Sequence, residues 1–355
     1  TLVVLIVVHE AGHFFAAKLF GVRVDEFAIG FPPRIASTRR GETEYTFNLI
    51  LLGGFVRIHG ERAEGGKEED PRSLANKSRW VQAMVVVAGV AMNLIFAWLL
   101  LSLAYMNGVP TVVDAPNTVG VGDARLAIVD VLPSSPAAQV GIEAGDIIKK
   151  IQTGTDTLFP GATPEEARAF IGEHQDSSIG VTVLRGTKEY MFLARPAPGI
   201  IADDLARKAL GVNFAYIGMV RYAPPAALWQ GGVLAVQETK MTAQGLWTFF
   251  SGLVSGDSSF TDVSGPVGIA RAGTAAVADG FSTLLLFAAF ISINLALINV
   301  IPVPGLDGGR LLVIGIEGIR RKPISERVNT ALTAFGFALL IVLMVAVTYH
   351  DIARL

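Results

Sequence analysis

The chain contains no cysteine in 355 residues. No disulfide can brace it, and no thiolate can ligate a metal. Histidine is scarce, with five residues at positions 9, 13, 59, 174 and 350, so any metal site must draw on these few imidazoles and on carboxylates. Charge is scarce as well. Asp, Glu, Lys and Arg make up 17% of the chain, against about 25% in an average soluble domain. The formal net charge of −2 lacks the basic excess expected of a nucleic-acid partner. What is abundant is apolar: 51% hydrophobic residues and a mean hydropathy of +0.50 point to a membrane protein. The sequence opens at Thr1, already inside an apolar run, and a few further residues are expected upstream. That run has no small-residue cleavage signature and is not read as a removable signal peptide.

Four stretches are long and apolar enough to cross a bilayer, which takes about 20 residues. They are Thr1–Phe20, Trp80–Met106, about Ser282–Val303 and about Asn329–Tyr349. The loop at 21–79 and the stretch from Arg310 to Arg327 are rich in Lys and Arg. The positive-inside rule assigns both to the cytoplasm. A four-span topology then puts residues 107–281 and both chain ends outside. Within the first loop, "TEYTFNLILLGGFVRIHG" reads as strands around Gly53-Gly54, and "ERAEGGKEEDPRSLANKSR" reads as a solvated linker. Residues 199–281 read as a connecting region. Its segment 224–256 has apolar residues at helical spacing interrupted by Gln, Glu and Lys, and reads as an amphipathic helix on the outer membrane surface.

Residues 120–198 follow the order strand, short helix, strand, helix, hairpin. Thr163-Pro164 opens the second helix, and the hairpin turns near Arg185-Gly186. The string "SPAAQVGIEAGDIIKKI" is similar to a PDZ domain, a module that takes an extended peptide as an added strand.

The first span holds "VVHEAGHFFAAKLFG". On a helix, i and i+4 share a face, so His9 and His13 can direct two imidazoles at one ion. Glu10, about 100° around the helix from His9, can face a water on that ion. An apolar helix with incidental polar residues is the plain alternative. Burying two imidazoles and a carboxylate in lipid without partners costs several kcal/mol, which argues against it. A catalytic zinc needs a third protein ligand and an open position. The outstanding candidate in the other spans is Asp307 in "NVIPVPGLDGGRLL", where Pro302 and Pro304 break the third span. The topology brings Asp307 toward the same side of the membrane as His9 and His13.

Taken together, "HEAGHFFAAKLFGVRVDEFAIGF", "LLGGFVRIHGE", "NKSRWVQAMVVVAGVAMNLIFA", "SGPVGIA" and "SINLALINVIPVPGLDGGRLL" resemble, in order, the site-2 protease family of intramembrane zinc metalloproteases. Within that family the resemblance is to the RseP-like regulators of sigma-factor stress responses. It implies a multi-pass α-helical membrane protein with an inserted α+β PDZ domain and a membrane-associated β-hairpin loop. It implies Zn²⁺ held by His9, His13 and Asp307, Glu10 as catalytic base, and Asn299 binding and polarising the substrate backbone. The bare alternative for Asn299 is an interhelical hydrogen bond, and for Asn93 in the second span support or packing. The implied substrate is a single-pass transmembrane protein, such as an anti-sigma factor or a signal-peptide remnant, trimmed beforehand by a site-1 protease. The implied location is the bacterial inner membrane, with the active site toward the cytoplasm. The chain departs from the family pattern at Gly89-Val90, where Gly-Pro is common, and has room for a single PDZ domain. Two rival readings are a membrane-anchored PDZ scaffold with a dead site, and a metal transporter or sensor. The first predicts a lost ligand or base, and the second has no need of Glu10.

Overall fold

The computed structural model describes residues 2–61, 70–113, 121–159, 161–200, 206–255, 265–322 and 324–353. Of the stretch 61–79 read above as a solvated linker, residues 62–69 lie outside them, and the remainder departs from that reading, since Ser73 and Leu74 are buried and Leu74–Asn76 form a short 3-10 turn. The chain divides into two units, residues 1–104 with 228–355, and 105–227.

Four helices of the first unit are long and apolar enough to cross a membrane: α1 (Leu2–Leu19), α2 (Arg79–Asn107), α7 (Phe281–Val300) and α9 (Glu326–Ala353). Their ends fall within a few residues of the four spans read from sequence. The fourth helix is longer than read at both ends, by three and four residues, and the third stops at Val300 rather than Val303. Pro302 disfavours the helical region for the residue before it, and Ile301 is extended at φ −60°, ψ 134°. Small residues set how closely the helices approach. A Cβ on Gly12 of α1 would run into the backbone of Ala88 and Gly89 in α2. Ala97 and Leu101 of α2 pack on Ala289 and Ile293 of α7.

The 21–79 loop is more regular than its sequence suggests. Strand β1 (Val24–Arg40) precedes β2 (Thr43–Ile58), and the pair form an antiparallel two-stranded sheet with irregular register. Both strands bend, so Phe27 faces Val56 as well as Tyr45, and Ala28 faces Phe55 as well as Thr46. Gly53-Gly54 lies inside β2 rather than at a turn, because a Cβ on Gly54 would meet the carbonyl of Ala28. The far part of the sheet carries exposed Phe31, Ile35, Phe47, Leu49 and Leu52, an apolar face of the kind that marks a membrane or protein contact.

The segment read as an amphipathic connection forms α5 (Pro224–Ser255). Its first half packs on α2 and α7: the Trp98 indole donates to Leu228 O at 2.8 Å, and Leu234 and Ala235 join the Ala97–Ile293 cluster. Trp229 and Trp247 are exposed. Helix α6 (Pro266–Ala278) is capped from far away in sequence, as Asp351 of α9 accepts from Gly265 N at 3.1 Å and Gly268 N at 2.9 Å. Helix α8 (Asp307–Arg320) follows the two prolines. Cβ atoms on Gly308 and Gly309 would collide with the carbonyls of Val300, Ile301 and Val303, so these glycines let the start of α8 fold back onto the end of α7.

The second unit is a mixed α+β body. Its sheet runs β3 (Val109–Val113), β9 (Val212–Val220), β4 (Val121–Val131), β5 (Ile147–Thr153), β7 (Ile179–Arg185) and β8 (Lys188–Ala194), with β6 (Asp156–Leu158) beside β5. Helices α3 (Pro136–Gln139) and α4 (Pro164–Glu173) complete it. Leu126, Ile128, Ile151, Ile179, Val181 and Phe214 form its buried core. Thr163 makes a full capping box with Glu166. Asp146 of the "AGD" string is buried and takes a bidentate grip from Arg185, at 2.7 and 2.8 Å. The unit is wider than the 120–198 read from sequence, because β3 and β9 join the sheet from either side of that range.

Candidate metal centre

Helix α1 carries His9 and His13 one turn apart, both buried, at 6% and 8% exposure. Their Nε2 atoms are 3.2 Å from each other. Asp307, the first residue of α8, puts Oδ2 at 3.0 Å from His9 Nε2 and 3.3 Å from His13 Nε2. This oxygen is buried and without a hydrogen-bond partner among the described residues. Three donor atoms thus converge on one point, and this is the single cluster of metal-binding type found among the described residues.

A tetrahedral zinc with ligand bonds of about 2.0–2.1 Å needs donors about 3.3 Å apart. The observed 3.0–3.3 Å meets that requirement. The donor types, two imidazoles and a carboxylate, are those of catalytic zinc sites that keep a fourth position open. The unpaired Asp307 oxygen fits a ligand better than a structural acceptor.

The five residues singled out in the sequence all line one cavity of about 250 Å³, together with Ile6, Val56, Ile58 and Leu295. Glu10 accepts a hydrogen bond from Val56 N at 2.9 Å, so β2 holds its carboxylate in the cavity wall. Asn299, near the end of α7, has its amide nitrogen 3.5 Å from His9 Nε2. Two further cavity residues escaped the sequence reading. Arg310, three residues after Asp307, pairs with Glu61 just past the end of β2. Deeper in α8, Glu317 pairs with Arg79 of α2 at 2.7 Å. These ion pairs tether the helix that carries Asp307, but nothing local in the sequence marks either pairing.

Helix α2 supplies the floor for the imidazoles. His13 Nδ1 donates to Val85 O at 2.8 Å. A Cβ on Gly89 would run into the rings of both His13 and His9. Asn93 lies one further turn along, with Nδ2 at 3.3 Å from His9 Nδ1. Residues 85, 89 and 93 recur every fourth position and so share one face. Gly89→Ala is expected to destabilise the protein by about 1–3 kcal/mol through overpacking and to weaken zinc binding in parallel. Thermal unfolding with and without zinc measures both. A melting temperature equal to the parent's would show that the imidazoles have slack at this contact.

The comparisons with known proteins fit this geometry. The profile of peptidase family M50 matches residues 1–343. A Clostridium perfringens protein is 33% identical over 350 residues, which cover 98% of this chain and 95% of that protein. The zinc metalloprotease RasP of Oceanobacillus iheyensis is 30% identical over 435 aligned positions, covering 99% of this chain and 97% of its own. The regulator of sigma-W protease RasP of Bacillus subtilis is 28% identical, covering 99% and 96%. Since the family match takes in the whole donor set as well as Glu10 and Asn299, the chain belongs to peptidase family M50 and is a zinc metalloprotease.

Proposed function

We propose that the chain cleaves transmembrane segments of other proteins within the bilayer, in regulated intramembrane proteolysis. One observation carries this reading: the donor set and the Glu10 carboxylate share a cavity whose walls include two helices, α1 and α7, long and apolar enough to span a membrane. In this reading His9, His13 and Asp307 hold zinc. Zinc, when bound, supplies Lewis-acid polarisation of the scissile carbonyl and activates water for attack. Glu10 takes the proton of the attacking water and passes it to the leaving amine. The Val56 N–H fixes the carboxylate that does so. Asn299 donates its amide N–H to the substrate carbonyl as negative charge develops there.

A helical substrate shields its own carbonyls, so the segment must unwind before it reacts. The 54–58 stretch of β2 pairs with β1, and both Val56 and Ile58 line the cavity. This supports a role for it as the template on which an unwound segment lies as an added strand. The exposed apolar residues of the sheet, Phe31 to Leu52, would sit in the bilayer. The second unit, with its strand–helix–strand–helix–hairpin order and the grip of Arg185 on Asp146, is read as a PDZ domain that admits short ectodomains or holds trimmed C-termini.

Substrates of anti-sigma-factor or signal-peptide type, cut first by a site-1 protease, fit this scheme. One relative's name, regulator of sigma-W protease, points the same way. The matching location is a bacterial plasma membrane, with the catalytic cavity toward the cytoplasm and residues 107–281 outside. The test uses the purified chain and a single-pass substrate in detergent or liposomes. Mass spectrometry is expected to find the cut inside the apolar segment, to lose it on chelation and to regain it with added zinc. Cuts confined to the soluble tails would overturn the intramembrane reading.

A further inference from the structure

Asn93 is fully buried in α2, at 0% exposure. Its backbone carbonyl accepts from Ser292 Oγ of α7 at 2.8 Å, so the residue sits where α1, α2 and α7 meet. Its amide nitrogen is drawn 3.3 Å from His9 Nδ1, and its Oδ1 has no partner among the described residues. Amide oxygen and nitrogen exchange places by a half-turn, and which one faces a histidine is decided by the network rather than by shape. Either orientation leaves one end of this amide unpaired. Packing therefore does not choose between them.

Ligation does choose. A neutral imidazole carries one N–H, and an ion takes the other nitrogen as a bare lone pair. For His13 the choice is forced. Its Nδ1 faces the Val85 carbonyl, which can only accept, so the proton is on Nδ1 and Nε2 is bare. For His9 the same arrangement requires an acceptor at Nδ1. If the Asn93 amide nitrogen points there, His9 Nδ1 becomes the acceptor. The proton then moves to Nε2, into the 3.0–3.2 Å space shared with Asp307 and His13. If Oδ1 points there, both Nε2 lone pairs aim at Asp307 Oδ2. We infer that Asn93 is a positioning residue whose side-chain oxygen accepts the Nδ1–H of His9, fixing the tautomer that presents Nε2 to the metal. Val85 O and Asn93 Oδ1, eight residues apart on one face of α2, are then a matched pair of acceptors, with Gly89 between them making room for the rings.

The inference rests on His9, His13 and Asp307 holding the ion, and the test separates the two claims. Zinc affinity is measured on the full chain by competition with a chromogenic chelator for the parent, Asn93→Asp, Asn93→Leu and His13→Ala. An outer-shell partner of a metal-bound histidine is worth about 10–100-fold in metal affinity. Asn93→Leu, similar in size and apolar, is expected to bind zinc about 10–100-fold more weakly. Asn93→Asp, whose carboxylate can only accept, is expected to stay within about threefold of the parent or to bind more tightly. A residue that merely packs gives the opposite order, because leucine suits an apolar contact and a buried carboxylate does not. Parent-like affinity in Asn93→Leu, or equal losses in Asn93→Leu and Asn93→Asp, overturns the role of Asn93. Parent-like affinity in His13→Ala overturns the site itself.

Discussion

Glu10→Gln should abolish measurable cleavage of a membrane substrate while leaving zinc content unchanged. The substitution keeps the shape of the side chain and an oxygen that can still accept from Val56 N, so the wall of the cavity stays in place. It removes a cavity carboxylate that is neither a proposed ligand nor, like Glu61, held in an ion pair with Arg310. Positioned acid–base groups contribute about 10²–10⁴-fold to rate, and a loss of that size in turnover, with little change in substrate binding, is the expected result. Elemental analysis of the same preparation reports the metal. If turnover survives, or if zinc is lost along with it, Glu10 is not the base.

Asp307→Ala should give the complementary result, in which zinc goes first and activity follows. Zinc binding in small protein sites is worth about 10–16 kcal/mol. Shared over four ligands, this puts one ligand near 3 kcal/mol, or about 10²-fold in affinity. Because Asp307 Oδ2 takes no hydrogen bond among the described residues, its removal strands no buried hydrogen-bond donor there. The helices should therefore stay assembled, with a circular dichroism spectrum like the parent's. Asp307→Ala protein that purifies with parental zinc would remove Asp307 from the donor set. Together the two variants separate chemistry from ligation: one keeps the metal without the reaction, and the other loses both.

How much of this was legible in the sequence depends on the range over which each interaction acts. The His9–Glu10–His13 spacing is a property of a single helix turn and could be read directly. So could a break at Pro302 and Pro304, because proline acts on its neighbours, although the helix ends at Val300, three residues before the Val303 read from sequence. Asp307 was found by elimination, since carboxylates are rare at membrane depth. The remainder is set by contacts between distant segments. The β character of this loop was legible, but not the bounds of β1, because Pro32-Pro33 falls inside it and its polar half gives no alternation; its pairing with β2 is what sets them. The joining of β3 and β9 to the second sheet links residues about a hundred positions apart. Val85 contributes a backbone carbonyl, which every residue possesses and no sequence can flag. Gly89 and Asn93 were visible as residues, but their purpose appears only once the imidazoles of α1 are laid across α2.

The placement of the ligands also bears on how the molecule is made. His9 and His13 are translated before Asp307, which comes 298 residues after His9 (307 − 9). At ribosomal speeds of about 5–20 residues per second, about 15–60 s separates the first donor from the last. Through that interval the growing chain holds the proposed base, Glu10, and two proposed ligands, His9 and His13, without Asp307. Under the proposed donor set, the third ligand can therefore join the first two only after the 298 residues that follow His9 have been made (307 − 9).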